Sequence, residues 1–275
     1  MKAKSIYLLL IPGLIVVVFF LFVPILMIIV PTLKGDQGIT LSRYIIFFKD
    51  AYYMSILMRT VRIGIITTLI CILLGVPVSY YVAKSSPKIK GLLLAAAIFP
   101  QLTDSVVRSF AWMTILGRNG IVNSLLVSAH LFTEPHMFLY TESAIIVGSV
   151  YLFLPLMIIS MVGVMDSIED DLVEAAESLG ANKVVAFFKI IFPLSVPGMI
   201  VGSVLVFTGT FTAYTTPQLL GGNKNTVLAT LLYQKAMTLS DWTQASVLSM
   251  VMILITLAVM FSINKVASRF YVRGV

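Results

Sequence analysis

The chain has 275 residues, 59% of them hydrophobic and 11% charged, with a formal charge of +7. Soluble domains carry about 25% charged residues, so this composition, with a mean hydropathy of +1.02, excludes a water-soluble globule. The one cysteine, Cys71, excludes an internal disulfide framework, and the positive charge speaks for Lys and Arg held at a membrane surface rather than for nucleic acid.

A bilayer core of about 30 Å needs about 20 apolar residues per helical span. Six such stretches follow one another. The first covers roughly residues 7–30 and includes Pro12 and Pro24. It exceeds the h-region of a cleaved leader, and no small-residue cleavage pattern follows it, so it reads as a span. The second covers roughly 63–83, with Pro77 inside. The third covers roughly 91–116, broken at Pro100 and interrupted by polar residues. The fourth, fifth and sixth cover roughly 143–165, 196–214 and 245–266. The expectation is an all-α polytopic membrane protein with one transmembrane domain over 1–275.

Orientation follows from Lys and Arg. The short loop Lys84-Ser85-Ser86-Pro87-Lys88-Ile89-Lys90 has three lysines and no acid, which places it in the cytoplasm. An even number of spans then puts both termini inside, in agreement with Lys2, Lys4, Lys265, Arg269 and Arg273. Arg59 and Arg62, before the second span, run against this bias. Within the spans, Gly198, Gly202 and Gly209 fit close helix packing. Arg108 fits a structural role at the outer end of the bundle, since an intramembrane charge must face protein or water. His130 and His136 read as loop residues, not a metal site.

The long loop at 166–194 is the informative one. Ser167 followed by Asp170 fits a capping box, and acids crowd the first turns, where the helix dipole favours them. Leu172, Ala175, Ala176 and Leu179 fall on one face. Gly180 stands where a C-terminal cap belongs. Asn182 can cap a second short helix ending near Pro193. Two short helices meeting at a glycine, with small residues between, form a knob that a partner surface can approach closely.

Glu174-Ala175-Ala176, then Gly180, Ile190 and Phe192-Pro193 resemble the EAA signature of ATP-binding-cassette importer permeases, the type I importers. Phe192 stands where that family usually has Leu. The resemblance implies a six-helix permease whose loop is a coupling helix, with Glu174, Ala175, Ala176 and Gly180 on the surface that docks into a separate ATPase. It also implies a second homologous permease subunit, two ATPase subunits, an external solute-binding protein, surrounding membrane lipid and a bacterial plasma membrane. The chain has no phosphate-binding GxxxxGK[ST] motif. ATP and Mg2+ therefore belong on the ATPase subunit, and this chain is neither an enzyme nor a cofactor binder. A membrane-surface anchor helix is the competing reading of the loop, but its acidic polar face is the wrong charge for one.

Pro100-Gln101-Leu102-Thr103-Asp104-Ser105-Val106-Val107-Arg108-Ser109-Phe110-Ala111-Trp112, Leu116-Gly117-Arg118-Asn119-Gly120-Ile121-Val122-Asn123 and Thr216-Pro217-Gln218-Leu219-Leu220-Gly221-Gly222, with Asp241-Trp242 further on, resemble the first permease subunit of spermidine/putrescine importers. Relatives with this pattern also serve opines, phosphonates and ferric iron. A polyamine path wants aromatic faces and carboxylates. The candidates are Trp112, Tyr151, Phe211 and Tyr214, with Asp104, Glu134, Glu142 and Asp241 at the mouth. The same aromatics also suit an interfacial belt or helix packing. A stand-alone secondary transporter or channel would want intramembrane ionisable groups or paired broken helices. A membrane-embedded enzyme would want a His/Asp/Glu constellation inside a span. Neither pattern stands out.

Overall fold

The computed structural model describes residues 3–35 and 38–271; Lys2 and Arg273 lie outside them. Two two-residue strands, Lys34–Gly35 and Gly38–Ile39, pair antiparallel, and the other regular elements are helical. Among the described residues, five helices are long and apolar enough to cross a membrane, and a sixth crossing is available if one bent helix pair counts as a span. The chain divides into two compact units, Met1–Ser55 with Leu231–Leu254 and Ile56–Thr230 with Ile255–Val275.

In the first unit, α1 (Ala3–Leu33) takes Pro12, Pro24 and Pro31 into its interior. Most of its apolar side chains from Ile11 onward lie exposed, as a lipid-facing helix requires. The short α2 (Ser42–Lys49) is tied back to the end of α1. Arg43 donates to the Pro31 carbonyl, and the Tyr44 hydroxyl to Thr32 Oγ1 at 2.7 Å. Phe47 is fully buried and stacks on Tyr53 at 5.3 Å.

Helix α3 (Ala51–Ala83) has 33 residues, about 50 Å at 1.5 Å per residue, and begins well before the expected start at 63. Arg59 and Arg62 end the apolar run without ending the helix, because both reach Glu142 at the start of another helix. After a tight turn come α4 (Pro87–Leu102) and α5 (Ser105–Leu116). The expected third span is thus not one rod. The chain turns by 95° between Pro87–Leu102 and the Ser105–Ser128 stretch. Pro100 stays inside α4; the break falls at extended Thr103 and at Asp104. Helix α6 (Ile121–Ser128) follows, and α7 (Glu142–Met165) runs where the fourth span is expected.

Beyond α7 lie α8 (Asp170–Ser178) and α9 (Lys183–Ala186). The second short helix does not end near Pro193. It widens into a π turn over Phe187–Ile191 and runs on as α10 (Phe192–Thr212). Proline has no N–H to donate to the preceding turn. The wider turn, with Phe192 N–H reaching back to Phe187 O, carries the helix past it. A second π turn, Pro217–Gly221, precedes α11 (Leu228–Tyr233) and α12 (Trp242–Tyr271).

The core of the second unit is the seam of α7 with α10 and α3. Met157, Met161 and Met165 form one stripe of α7, packed with Val196, Met199 and Val206 of α10 and Cys71, Val76 and Ala83 of α3. Lipid is as apolar as these side chains, so close backbone approach and dispersion must hold the seam. A Cβ placed on Gly198 would stand 2.9 Å from Ser160 O and 3.0 Å from Met161 Cα. One on Gly202 would stand 2.5 Å from Met157 Sδ, and one on Gly209 would stand 2.4 Å from Phe153. All three glycines face α7. Ser79 Oγ donates to Ile158 O across the α3–α7 contact at 3.3 Å.

Gly198→Val should therefore cost about 1–3 kcal/mol through forced separation of two backbones. Gly91→Ala in α4, with nothing near its added carbon, should be neutral or stabilising by up to about 1 kcal/mol. Thermal unfolding in detergent distinguishes them; equal effects would contradict this packing.

Candidate functional site

The elbow between α7 and α10 is built by two caps. At the end of α8, Gly180 adopts φ +88, a left-handed conformation that glycine takes at least cost. Its N–H donates to Glu177 O at 2.9 Å, and Ala181 N–H to Ala176 O at 3.0 Å. These two bonds are the Schellman pair that closes a helix end. Two residues on, Asn182 Oδ1 accepts from Val185 N at 2.8 Å and starts α9.

The start of α8 departs from expectation. Ser167 makes no capping box; its hydroxyl donates to Val164 O at 2.7 Å. The helix begins after Glu169, with no side-chain cap, and the Asp170 carboxylate is taken by Lys84. A second ion pair, Lys90 to Asp166, measures 2.5 Å. The basic α3–α4 turn and the acidic elbow thus lie on the same side of the bundle.

The elbow has a covered and an open face. Ile168 and Val173 join the core, with Ile191 beneath them. Tyr80 of α3 meets Phe187 edge to face at 5.3 Å. On the other side, Leu172 is 45% exposed, Leu179 90%, Val184 64% and Phe188 61%. Glu174, Ala175 and Gly180 are exposed and Ala176 half-buried. The four residues singled out by the sequence pattern lie in one short segment beside this uncovered apolar surface.

At the opposite end, the bend between α4 and α5 is held by two charged side chains. Asp104 Oδ1 accepts from Val106 N at 2.8 Å and Val107 N at 3.1 Å, capping α5. Arg108 is buried and donates through Nη1 to Pro100 O at 2.6 Å and Thr103 O at 3.1 Å, satisfying carbonyls that the end of α4 leaves open. Arg108 is thus a staple across the bend. Asp104 is exposed but committed to its helix.

Of the aromatic path candidates, Trp112 and Tyr151 come together edge to face at 5.5 Å. Tyr214 is half-buried just past α10. Phe211 is fully buried and stacked on Phe207 at 5.4 Å in this conformation. Two more of the acids at the mouth, Glu142 and Asp241, are engaged as well. Glu142 binds Arg62 at 2.6 Å and Arg59 at 3.2 Å, and Arg59 also donates to Thr226 O at 3.0 Å. Asp241 lies 4.0 Å from Lys235 and accepts from Gln244 N. The Arg59–Arg62–Glu142 cluster was not anticipated; the signal was an i,i+3 arginine pair, which shares one helix face. Nearby, Met137, Tyr140, Gly222 and Lys224 line an open groove. Among the described residues, no group of three His, Cys, Asp or Glu side chains could hold a metal.

Removing the staple should cost more than removing the cap. Arg108→Met leaves the Pro100 and Thr103 carbonyls without that donor and should cost about 1–3 kcal/mol. Asp104→Ala should cost about 1 kcal/mol. Unfolding midpoints in detergent test the order, and a larger drop for Asp104→Ala would contradict it.

Comparison with known proteins places the chain. Residues 72–272 match the family described as binding-protein-dependent transport system inner membrane component. The chain is 30% identical over 262 residues to the spermidine/putrescine transport system permease protein PotB of Haemophilus influenzae, covering 92% of this chain and 91% of that one. It is 32% identical over 232 residues to the protein of the same description from Escherichia coli K12, covering 82% and 84%. Its fold resembles a chain in the crystal structure of a bacterial ABC transporter involved in the import of the acidic polysaccharide alginate. The TM-score is 0.79 at 16% identity, covering 98% of this chain and 96% of that one. This chain belongs to the family of binding-protein-dependent transport system inner membrane components, and is a non-catalytic transmembrane permease half of an ABC importer for a small solute.

Proposed function

We propose that this chain is a permease subunit of a polyamine importer in a bacterial plasma membrane, driven by a separate ATPase that docks on the elbow. The observation that carries the docking half is the uncovered surface formed by Leu172, Ala175, Leu179, Val184 and Phe188 beside Glu174, Ala176 and Gly180. A helix with an acidic polar face beside an apolar patch suits a protein cleft better than a bilayer surface. Lipid-facing exposure is natural for a span, but this patch adjoins the charged elbow, where water competes.

The ion pairs support an orientation. Lys84, Lys88 and Lys90 favour the cytoplasmic side, and Lys84–Asp170 and Lys90–Asp166 draw the elbow to the same side. Both termini would then be cytoplasmic. The opposite end, with the groove beside Tyr140 and Lys224, would meet the external solute-binding protein. A second, homologous permease subunit would complete the pathway. Two ATPase subunits would carry ATP and Mg2+, and lipid would surround the spans.

The polyamine reading rests on the two relatives described as spermidine/putrescine permeases. The Trp112–Tyr151 pair offers a cation an aromatic contact worth about 0.5–2 kcal/mol. Asp104 and Glu142, bound to their own helices and arginines, would attract a polycation less than free acids do.

The test is uptake by the assembled importer in proteoliposomes. ATP-dependent accumulation of spermidine, blocked by putrescine and not by an aminophosphonate, is expected. Gly180→Asp puts a charge at the docking edge and strains a φ of +88. It should weaken ATPase retention about tenfold or more, which corresponds to about 1.4 kcal/mol. Uptake of an anionic solute alone would overturn the polyamine reading. Normal uptake with the ATPase retained in Gly180→Asp would overturn the docking reading.

A further inference from the structure

The elbow has attachments of two kinds. Towards α7 and α10 it is held by the continuity of the chain and by the apolar packing of Ile168, Val173 and Ile191. Towards the α3–α4 turn it is held also by charge. Lys84, just past α3, pairs with Asp170 at the start of α8, and Lys90, in the first turn of α4, pairs with Asp166 at the end of α7. The pairs run in antiparallel order: the earlier lysine takes the later acid. They join segments 86 and 76 residues apart, so chain continuity does not account for either. One ion pair is a pivot; two, spaced along both partners, resist rotation as well as separation.

Both pairs are solvent-exposed. Such pairs add little to fold stability, and neither rescues a buried charge. What they do have is position: a displacement of the elbow reaches the foot of α3 through Asp170 at the start of α8 and the foot of α4 through Asp166 at the end of α7. We propose that Lys84, Lys90, Asp166 and Asp170 form an ionic clamp that makes the α3–α4 turn follow the elbow, so that docking motion is delivered to α3 and α4 as well as to α7 and α10. These are positioning residues, acting through the elbow, and the proposal rests on the docking reading above. Without the clamp the elbow remains docked and moves, while the α3–α4 turn lags. Hydrolysis then continues with less solute moved per ATP.

The experiment uses the complete importer with its ATPase and binding protein in proteoliposomes. It reads three quantities: ATPase bound per permease, ATP hydrolysed, and solute taken up per ATP. Lys84→Gln with Lys90→Gln should keep the ATPase bound and hydrolysis running, and should lower solute per ATP about two- to fivefold, the range open to exposed pairs. Asp166→Asn with Asp170→Asn should do the same, and all four together should lose no more. Exchanging the charges, Lys84→Asp with Asp170→Lys, should leave solute per ATP near that of the parent. Raising salt from about 0.1 M to about 1 M shortens the screening length from about 10 to about 3 Å, and should lower the ratio in the parent but not in the double Gln variant. An unchanged ratio in that variant, or failure of the charge exchange to preserve it, overturns the clamp. An ATPase that fails to bind the parent chain overturns the docking reading itself, which separates the two failures.

Discussion

Inside a bilayer there is no water to satisfy a backbone N–H or C=O, so every place where a helix starts, stops or bends must be closed by the chain itself. This constraint explains where the polar residues of a chain with 11% charged content are spent. Asp104 and Arg108 close the two sides of the bend between α4 and α5. Phe187–Ile191 widens to let the helix pass Pro193. Polar atoms that sequence reading offers to a solute are in large part already committed to the backbone or to one another.

The same constraint shapes how motion can pass. The α7–α10 seam is held by glycines that let backbones touch, and close-packed elements shift as bodies more readily than they deform. The elbow joins the ends of both helices, and the π turn and Pro193 mark the foot of α10. A force applied at Ala175 therefore arrives at two rigid, interlocked rods. That geometry suits an importer whose energy is released in another subunit: the permease needs a lever and a stiff coupling, not a catalytic group.

Hydropathy and short motifs made much of this legible. The apolar run over 143–165 reads directly as α7 because nothing charged interrupts it, and Gly180 and Asn182 announce their caps by residue type. Three features escaped for physical reasons. Arg59 and Arg62 truncated the second span on paper because a hydropathy pattern cannot see that Glu142, 83 and 80 residues away, pairs with them. The bend was assigned to Pro100 because proline is the familiar breaker, whereas Thr103-Asp104-Ser105 carries the N-cap chemistry that starts a new helix. Nothing in the sequence announces that Phe211 stacks on Phe207 and is buried. Burial is a tertiary property, and residue type alone does not carry it.

The central claim is that the elbow faces the cytoplasm and is covered there by an ATPase. A single cysteine at Ala175, with Cys71 buried, makes it measurable with a membrane-impermeant thiol reagent. No labelling in intact cells, labelling in inside-out vesicles stripped of ATPase, and protection when the ATPase is restored is the predicted result. Labelling from outside intact cells, or labelling that ATPase does not diminish, would contradict the account.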